Sequence, residues 1–375
     1  MKNRVYKYFF IEFFRYFAVV LFAVTAIIWT IQAVNFLDLV TEDGHAFRIY
    51  LFYSFLGIPK VITKLIPFTF LIASILTILK LEKDNELIIL WTSGLNKIHI
   101  VNLILRTSLL IMIIQIIFST FITPETLNFS RKLIKNSQLQ FVPSLLKEKQ
   151  FNDAVEGLTI FVNNKKANGI YEDILIRDEG NTLTNVSSSG GSSTIFAKSG
   201  YIPDEKNLVL LNGNIQKTSK DGSINIIKFE KTSIFLSGLA TKTISAPKIQ
   251  ETSTFDLINC FDDENKNLQN CNRTNEYQKD IKIELNKRFG MPLYIPLISL
   301  IVCFLLASRK DKKFSGYNRF IYFIFGFVIL TISEITVRYS GNSINHSAIY
   351  LLLPVGLIPF IYLLLIRTFK YENLS

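Results

Sequence analysis

Long apolar blocks separated by short charged loops constrain this chain more than any other feature. The 375-residue sequence contains six such blocks, three before and three after a polar stretch at about residues 123–287. An apolar stretch of about 18 residues or more can cross a bilayer as a helix. We therefore predict transmembrane helices at about residues 9–40, within 50–81, and at 98–122, 291–307, 320–337 and 348–366.

Basic residues in the short loops predict the orientation. They cluster before span one, between spans two and three, between spans four and five, and after span six. The positive-inside rule then places both termini in the cytoplasm and residues 123–287 in the periplasm. The same residues account for the net charge of +11 and the pI of about 9.3, so we predict no nucleic-acid partner.

The polar middle region has the pattern of a β domain. Apolar and polar residues alternate at 157–163, 170–177, 208–216 and 224–229, and turn-forming segments such as SSSGGSS and SKDG lie between them. Short strands at regular spacing indicate a sandwich or jellyroll. We predict three parts: residues 1–122 with three spans, a periplasmic β-jellyroll domain with helical connectors at 123–287, and residues 288–375 with three spans.

Two of the three cysteines lie in the middle region and could be bonded there. Cys260 and Cys271 would face an oxidising periplasm, which permits a disulfide. Their spacing does not fix the geometry that a disulfide requires, so the bonded and free states both stay open. Cys303 lies in span four, where we predict an inert apolar filler.

The motifs of common enzymes are absent from the sequence. It contains no GxxxxGK[ST] phosphate loop and no GxSxG nucleophile elbow. His45, His99 and His346 are scattered without metal-ligand spacing. We therefore predict a non-catalytic protein with no catalytic residue, metal or cofactor.

The loop between spans two and three has the pattern of a short amphipathic helix. At residues 82–95, charged residues come first, followed by an apolar run and then Gly94. This pattern is typical of a helix lying at the cytoplasmic surface. Two interpretations stay open: a helix that only lies on lipid, and a coupling helix that docks into a cytoplasmic motor.

A second group of candidate residues consists of cations predicted near the outer membrane face. Lys60 and Lys64 are four residues apart and share one helix face. A charge at the bilayer centre costs about 2.5–3.5 kcal/mol on the mildest scale. The cations could reach towards headgroups or pair with acids, or they could bind a phosphorylated lipid headgroup. Three more follow span three: Arg131, Lys132 and Lys135.

Three short motifs occur in order along the chain. Ile58-Pro59-Lys60 is followed by Leu65-Ile66-Pro67 in span two. Residues 84–90 (DNELIIL) come next, with Ser93-Gly94, and residues 284–293 (ELNKRFGMPL) lie at the start of span four. In this order and with this topology, the motifs resemble those of the LptF/LptG (YjgP/YjgQ) permeases of the lipopolysaccharide export ABC transporter, whose corresponding segments are SE[LIM]xVLxxxG for the second motif and E-x-x-R-x-x-x-P-L for the third. The resemblance covers essentially the whole chain.

The resemblance implies a non-catalytic subunit that works with several partners. These are a paralogous LptG-type subunit, an LptB-type cytoplasmic ATPase dimer, the periplasmic proteins LptC and LptA, and lipopolysaccharide itself. It implies that lipopolysaccharide is taken from the inner membrane and passed through the jellyrolls. The implied ATPase-coupling segment contains Asp84, Glu86, Leu87, Leu90 and Gly94, with Glu86 matching the family's glutamate. The implied phosphate-binding residues are Lys60, Lys64, Arg131, Lys132 and Lys135.

Two other functions are compatible with the topology. A permease for a lipoprotein or peptide would share the coupling helix but would more often carry a mixed α/β periplasmic domain. A membrane scaffold without transport would tolerate replacement of Glu86 and of the basic residues. Within the resembling family, the first spans favour LptF over LptG.

Overall fold

The computed structural model describes residues 2–41, 46–137, 146, 148–155, 157–166, 169–179, 192–204, 207–218, 223–235, 248–260, 275–307 and 315–372. The helices are α1 (Lys2–Asn35), α2 (Asp38–Thr41), α3 (Phe47–Leu56), α4 (Ile58–Lys83), α5 (Glu86–Thr92), α6 (Lys97–Ile117), α7 (Thr123–Ser137), α8 (Thr254–Asn259), α9 (Asn275–Cys303), α10 (Ser315–Ser340) and α11 (Ile344–Glu372). The strands are β1 (Phe151–Val155), β2 (Leu158–Lys165), β3 (Ile170–Asp178), β4 (Ser192–Asp204), β5 (Asn207–Thr218) and β6 (Ile224–Phe235). A π-helical segment (Phe118–Ile122) joins α6 to α7, and 3-10 turns lie at Ile249–Glu251 and Phe304–Leu306.

Six helical segments of the described chain are long and apolar enough to cross a membrane, which confirms the predicted number. They are Arg4–Val40, Phe47–Lys83, Lys97–Ile134, Glu276–Leu306, Phe320–Ser340 and Ile344–Lys370. The third and fourth flank the six strands, so the predicted membrane α plus β class with an inserted β domain is also confirmed.

The chain forms two compact units. The helical unit comprises Met1–Thr30, Gly57–Leu127 and Lys248–Ser375. The sheet unit comprises Ile31–Leu56 and Asn128–Pro247. Each unit has its own buried apolar cluster.

The core of the helical unit lies on α4, α6 and α9. In the most apolar window of the fourth span, which is α9 for most of its length, 72% of the residues are buried. The corresponding windows of the first and sixth spans are 11% and 17% buried. The outer helices therefore present mostly apolar side chains, such as Phe22 and Leu352, away from this unit. Such faces suit lipid or another membrane protein.

Prolines interrupt four of the membrane helices, and four of the carbonyls that they leave without a helical donor accept a hydrogen bond from a side chain on a different segment. A proline inside a helix cannot donate to the carbonyl four residues before it. The carbonyls four residues before Pro67, Pro124, Pro292 and Pro354 therefore lack their usual helical donors. The replacement bonds are Gln115 Nε2 to Thr63 O (3.3 Å), Thr254 Oγ1 to Thr120 O (2.7 Å), Ser119 Oγ to Arg288 O (2.9 Å) and Tyr294 Oη to Tyr350 O (3.4 Å).

This arrangement explains several polar residues inside apolar spans. A backbone carbonyl left unpaired in hydrocarbon costs several kcal/mol, so a neighbouring helix supplies a donor. The donors in turn fix which helices pack together: α6 against α4, the π-helical segment against α9, and α9 against α11.

The sheet unit contains one six-stranded antiparallel sheet whose strand order, β1 to β6, follows the chain. The four strands predicted from alternation correspond to β2, β3, β5 and β6. The described strands are thus connected as an up-and-down meander, and no Greek-key crossover of a jellyroll is seen among them. Alternate side chains of β2, including Leu158, Ile160 and Val162, point into the unit's apolar cluster.

A line of polar residues crosses the sheet where the ladder is interrupted. Strands β2 to β6 pair in register on both sides of this line. On the line itself, one residue of each of these five strands is left out of the strand pairing. These residues are Asn163, Asp173, Lys198, Asn212 and Glu230. Asp173 and Asn212 both have a φ of 51°, in the left-handed region that asparagine and aspartate tolerate best. A concavity of about 720 Å³ lies along this line.

Candidate functional site

A cavity of about 410 Å³ lies among four membrane helices of the helical unit. Its wall is formed by the start of α4, the junction of α6 and α7, the first half of α9 and the end of α10. Most of the exposed surface of this lining is apolar, and six of the lining side chains are charged. They are Lys60, Lys64, Glu284, Lys287, Arg288 and Glu334.

Lys60 and Lys64 are the two cations of this wall that have no hydrogen-bond or ion-pair partner in the described part of the chain. They lie one turn apart at the start of α4, where Gly57 precedes the helix and Pro59 occupies its first turn. Lys60 is half-buried and Lys64 is exposed, and neither forms a hydrogen bond or ion pair with any described residue. The structure therefore places both predicted phosphate-binding lysines of span two at one cavity, with their ammonium groups uncommitted.

Arg288 has a different role because each of its three guanidinium nitrogens already donates to a partner. It is buried, with 2% of its surface exposed. Its Nε donates to Glu284 Oε1 at 3.1 Å and its Nη1 to Thr254 Oγ1 at 2.8 Å. Its Nη2 bonds backbone carbonyls of residues 249, 250 and 252 at 3.1–3.5 Å. The guanidinium thus fastens the segment before α8 to α9.

Lys287 and Glu334 form the second ion pair of the cavity wall. Lys287 Nζ lies 2.8 Å from Glu334 Oε1 and joins α9 to α10. Their side chains remain 29% and 40% exposed, so this pair is open to the cavity, unlike Arg288. Glu334 therefore pairs across helices with Lys287; its intrahelical neighbour Arg338 is exposed.

The predicted coupling segment contains a short helix bounded by two residues in the left-handed conformation. α5 covers Glu86–Thr92, with Asn85 at a φ of 58° before it and Gly94 at 82° after it. Asp84 is exposed at the end of α4. The positive φ values explain why an Asn and a Gly lie at these two positions.

The side chains of α5 divide into an anchoring face and an open face. Leu87 is buried in the apolar cluster, and Leu90 and Trp91 pack against it. Ile88 and Ile89 are 58% and 62% exposed. Two neighbouring large apolar residues on the surface of a loop mark a contact surface for lipid or protein.

Glu86 is held by the first helix. Tyr8 Oη donates to Glu86 Oε1 at 2.9 Å. One turn further along α1, Lys80 Nζ lies 2.8 Å from Glu12 Oε2. On the other side of α5, the ammonium of Lys97 lies over the ring of Trp91 and over the ring of Phe369 in α11, at 5.8 and 5.6 Å. These contacts connect the segment to both terminal helices.

The cavity and the coupling segment lie at opposite ends of α4. From Lys60 to Lys83 the helix is about 35 Å long at 1.5 Å per residue. That length matches the hydrocarbon core of a bilayer, about 30 Å thick. One continuous helix therefore connects the two sites across the membrane thickness.

The remaining predicted residues belong to other parts of the structure. Arg131, Lys132 and Lys135 lie on α7 within the sheet unit, so their grouping with Lys60 and Lys64 stays a prediction. Cys260 follows α8, whereas Cys271 lies outside the described residues, so their disulfide also stays a prediction. Cys303 is free and buried in span four.

The comparison with known proteins identifies the family. The sequence profile of the lipopolysaccharide export system permease LptF/LptG matches residues 7–368. The chain belongs to the LptF/LptG family. An uncharacterized protein of Rickettsia prowazekii (strain Madrid E), RP871, is 26% identical over 335 residues, which cover 82% of this chain and 84% of that protein.

Membership of the LptF/LptG family fixes the general function. The chain is a non-catalytic permease subunit of a lipopolysaccharide export transporter. With its six candidate spans, it is a multi-pass protein of the inner membrane.

Sequence reasoning assigned no role in the cavity to four of its six charged lining residues. Glu284, Lys287 and Arg288 lie in the 284–293 motif that supported the family resemblance, but no role was predicted for them. Glu334 could have been found because an acid inside a membrane span normally faces the protein interior and has a partner. The polar lining residues Gln115 and Ser119 would have required the proline argument applied to Pro67 and Pro292.

Proposed function

We propose that this chain takes lipopolysaccharide from the outer leaflet of the inner membrane, binding its phosphates at Lys60 and Lys64. The observation that carries this proposal is a pair of ammonium groups without a partner among the described residues, on a cavity wall whose exposed surface is mostly apolar. An unpaired cation at membrane depth is costly, and a phosphorylated headgroup would supply charge-assisted hydrogen bonds to it. The apolar lining would accommodate the adjoining parts of the lipid.

The β domain would receive the lipid next. Its concavity of about 720 Å³ combines apolar side chains such as Ile174 and Phe229 with a polar line. We propose that this domain faces the periplasm and delivers the lipid to LptC and LptA, with both termini in the cytoplasm. Arg131, Lys132 and Lys135 on α7 would attract phosphates on the way.

Energy would come from a separate LptB-type ATPase dimer docked at residues 82–95. Leu87 and Leu90 anchor α5 to the helical unit, Asp84 and Glu86 offer carboxylates, and Gly94 ends the segment. The exposed Ile88 and Ile89 would fill an apolar groove of the ATPase. Replacing Ile89 with Ser should therefore release the ATPase during purification, whereas Ile113→Ser, an exposed position within span three, should not.

The paralogous partner would be an LptG-type subunit, with this chain in the LptF role that its first spans favour. The test of the whole proposal is purification of the tagged chain from its own membrane in mild detergent. Recovery of a second six-span subunit, a small ATPase and lipopolysaccharide is expected. A copurified lipoprotein or peptide in place of lipopolysaccharide would favour an exporter with another substrate.

The phosphate role has a sharper test. Lys60→Glu and Lys64→Glu should each lower the amount of lipopolysaccharide bound per purified complex by about tenfold or more, because an attraction becomes a repulsion. Lys60→Arg should retain most of the binding. The matched control is Lys370→Glu near the end of α11, where the side chain is exposed outside the cavity. Wild-type binding by both glutamate variants would remove these lysines from the site.

A further inference from the structure

The ion pair between Lys287 and Glu334 lies in the same cavity wall as the two uncommitted lysines. The cations of this wall differ in how strongly they are already bound. Arg288 is buried and uses its donors on five partners. Lys287 has a single described partner, Glu334, at 2.8 Å, and the pair remains partly exposed. An incoming anion can therefore replace Glu334 as the partner of Lys287, whereas it cannot readily replace the partners of Arg288.

Glu334 makes this exchange conditional on the charge of the ligand. A ligand that reaches Lys287 must approach or displace a carboxylate, which repels every anion. A partly exposed ion pair is worth little, about 0–1 kcal/mol, so displacement is feasible for a ligand that brings more charge than the carboxylate. A singly charged ligand gains nothing from the exchange.

The bilayer contains both kinds of anion. Ordinary acidic phospholipids carry a phosphodiester with one negative charge. A phosphomonoester carries about −1.5 to −2 charges at neutral pH and offers three strong acceptor oxygens. A wall with three open cations would attract the abundant phosphodiesters, and a resident carboxylate reduces that attraction. Repelling the wrong ligand is a general route to specificity.

We propose that Glu334 is a specificity-determining residue that reserves Lys287 for phosphomonoester headgroups and rejects phosphodiester lipids. This inference rests on the proposed function of the cavity, and it adds a third cation and a selectivity device to the two lysines of α4. Lys60 and Lys64 supply attraction, and the pair of Lys287 and Glu334 discriminates.

The test measures the binding of two lipid probes. The full chain is used together with the subunits that copurify with it, in nanodiscs of neutral lipid. The probes are diphosphoryl lipid A, which carries two phosphomonoesters, and phosphatidylglycerol, which carries one phosphodiester. The wild type should prefer the first. Glu334→Gln keeps the size of the side chain and removes its charge, and it should reduce that preference by about tenfold, equivalent to ~1.4 kcal/mol. Most of the change should come from tighter binding of phosphatidylglycerol.

Three further variants isolate the mechanism. Glu334→Asp keeps the charge and should stay close to the wild type. Lys287→Met should weaken diphosphoryl lipid A by about tenfold, because its third cation is lost and Glu334 is left unopposed. In the Lys287→Met background, Glu334→Gln should no longer reduce the preference for diphosphoryl lipid A over phosphatidylglycerol as it does in the wild type. Such non-additivity is expected of two residues that act as a pair. The control is Glu125→Gln, an exposed acid outside the cavity lining.

The outcomes separate this inference from the proposed function. If the wild type binds diphosphoryl lipid A and Glu334→Gln leaves the preference unchanged within twofold, the selectivity role is overturned while the lipid site stands. If Lys287→Met binds diphosphoryl lipid A like the wild type, Lys287 does not bind the ligand and the inference is overturned. This outcome can be read even if Glu334→Gln does not fold. If the wild type shows no preference for diphosphoryl lipid A, the proposed phosphate site falls, and this inference with it.

Discussion

Gln115 donates a hydrogen bond from Nε2 to the carbonyl oxygen of Thr63 at 3.3 Å, and that carbonyl is the one that Pro67 leaves without a helical donor. The two residues lie on α6 and α4. The same relationship occurs at three other prolines of the helical unit, so polar residues at these sites substitute for missing backbone bonds. Pro67 and Pro292, both in motifs shared with the family, owe their tolerance in the membrane to these donors.

The Gln115 bond can be isolated by a double-mutant cycle. Gln115→Leu should destabilise the protein by about 1 kcal/mol, the size of interhelical hydrogen bonds in membrane proteins. Pro67→Ala restores a backbone donor for Thr63, so Gln115→Leu should cost less in that background. Unfolding in detergent with increasing denaturant measures both effects. Equal costs in the two backgrounds would show that Gln115 does not act through the Thr63 carbonyl.

Arg288 should be far more sensitive than an exposed arginine of the same unit. Arg288→Met would leave Glu284 without its partner and remove the donor to the carbonyls of residues 250 and 252. Breaking a buried charge pair costs about 3–5 kcal/mol. We expect loss of the folded monodisperse protein or a large fall in its melting temperature.

The control for Arg288 is Arg338→Met, because Arg338 is exposed near the end of α10. Arg288→Lys should recover only part of the stability, since an ammonium cannot reach partners arranged around a planar fork. Equal melting temperatures for Arg288→Met and Arg338→Met would contradict the anchoring role.

The sequence predicted the architecture because apolar length and charge placement follow directly from the physics of a bilayer. It predicted four of the six strands, because β2, β3, β5 and β6 alternate clearly. It missed β1, which has only five residues, and β4, whose run SSTIFAKSGYIPD is broken by serines, Gly200 and Pro203.

The site was predictable only where its residues lie close in sequence. Lys60 and Lys64 could be grouped because they are one helical turn apart, and the segment at 82–95 because its pattern is local. The pairing of Lys287 with Glu334 depends on how α9 packs against α10, and the bond from Tyr8 to Glu86 joins residues 78 positions apart. Such contacts are set by tertiary packing, which no local pattern records.

Gly290 is required where α9 crosses α11. A β-carbon at this position would lie under 3.0 Å from the ring of Tyr350, which is itself buried. Gly290→Ala should therefore destabilise the protein by about 1–3 kcal/mol through overpacking. Gly356→Ala, in α11, has no atom within 4 Å of the added carbon and should be neutral or slightly stabilising. Thermal unfolding of the two variants in one detergent compares them, and equal destabilisation would contradict the packing argument.

Asn212 should tolerate glycine better than a β-branched residue. Its φ of 51° lies in a region that valine adopts only with strain, about 1–3 kcal/mol. Asn212→Val should speed backbone hydrogen exchange in β4, β5 and β6, whereas Asn212→Gly should not. Gln216→Val, on the same strand at ordinary backbone angles, is the control and should leave exchange unchanged or slower. Fast hydrogen exchange in all three variants would show that any substitution in β5 destabilises the sheet, and it would contradict the role given to the φ of Asn212.

Tyr8 should act as a positioning residue for the proposed ATPase contact of Glu86. Tyr8→Phe removes only the hydroxyl that donates to the carboxylate at 2.9 Å, so Glu86 keeps its charge but loses its fixed orientation. A hydrogen bond of about 0.5–1 kcal/mol corresponds to a loss of about two- to fivefold in ATPase activity coupled to the permease. Glu86→Ala should cost more, because it removes the contact itself. Tyr6→Phe, on the same helix, has no hydroxyl bond to a described residue and should behave like the wild type. If Glu86→Ala lowers the activity and Tyr8→Phe does not, Glu86 acts without help from α1, and if neither changes it, the ATPase does not use this carboxylate.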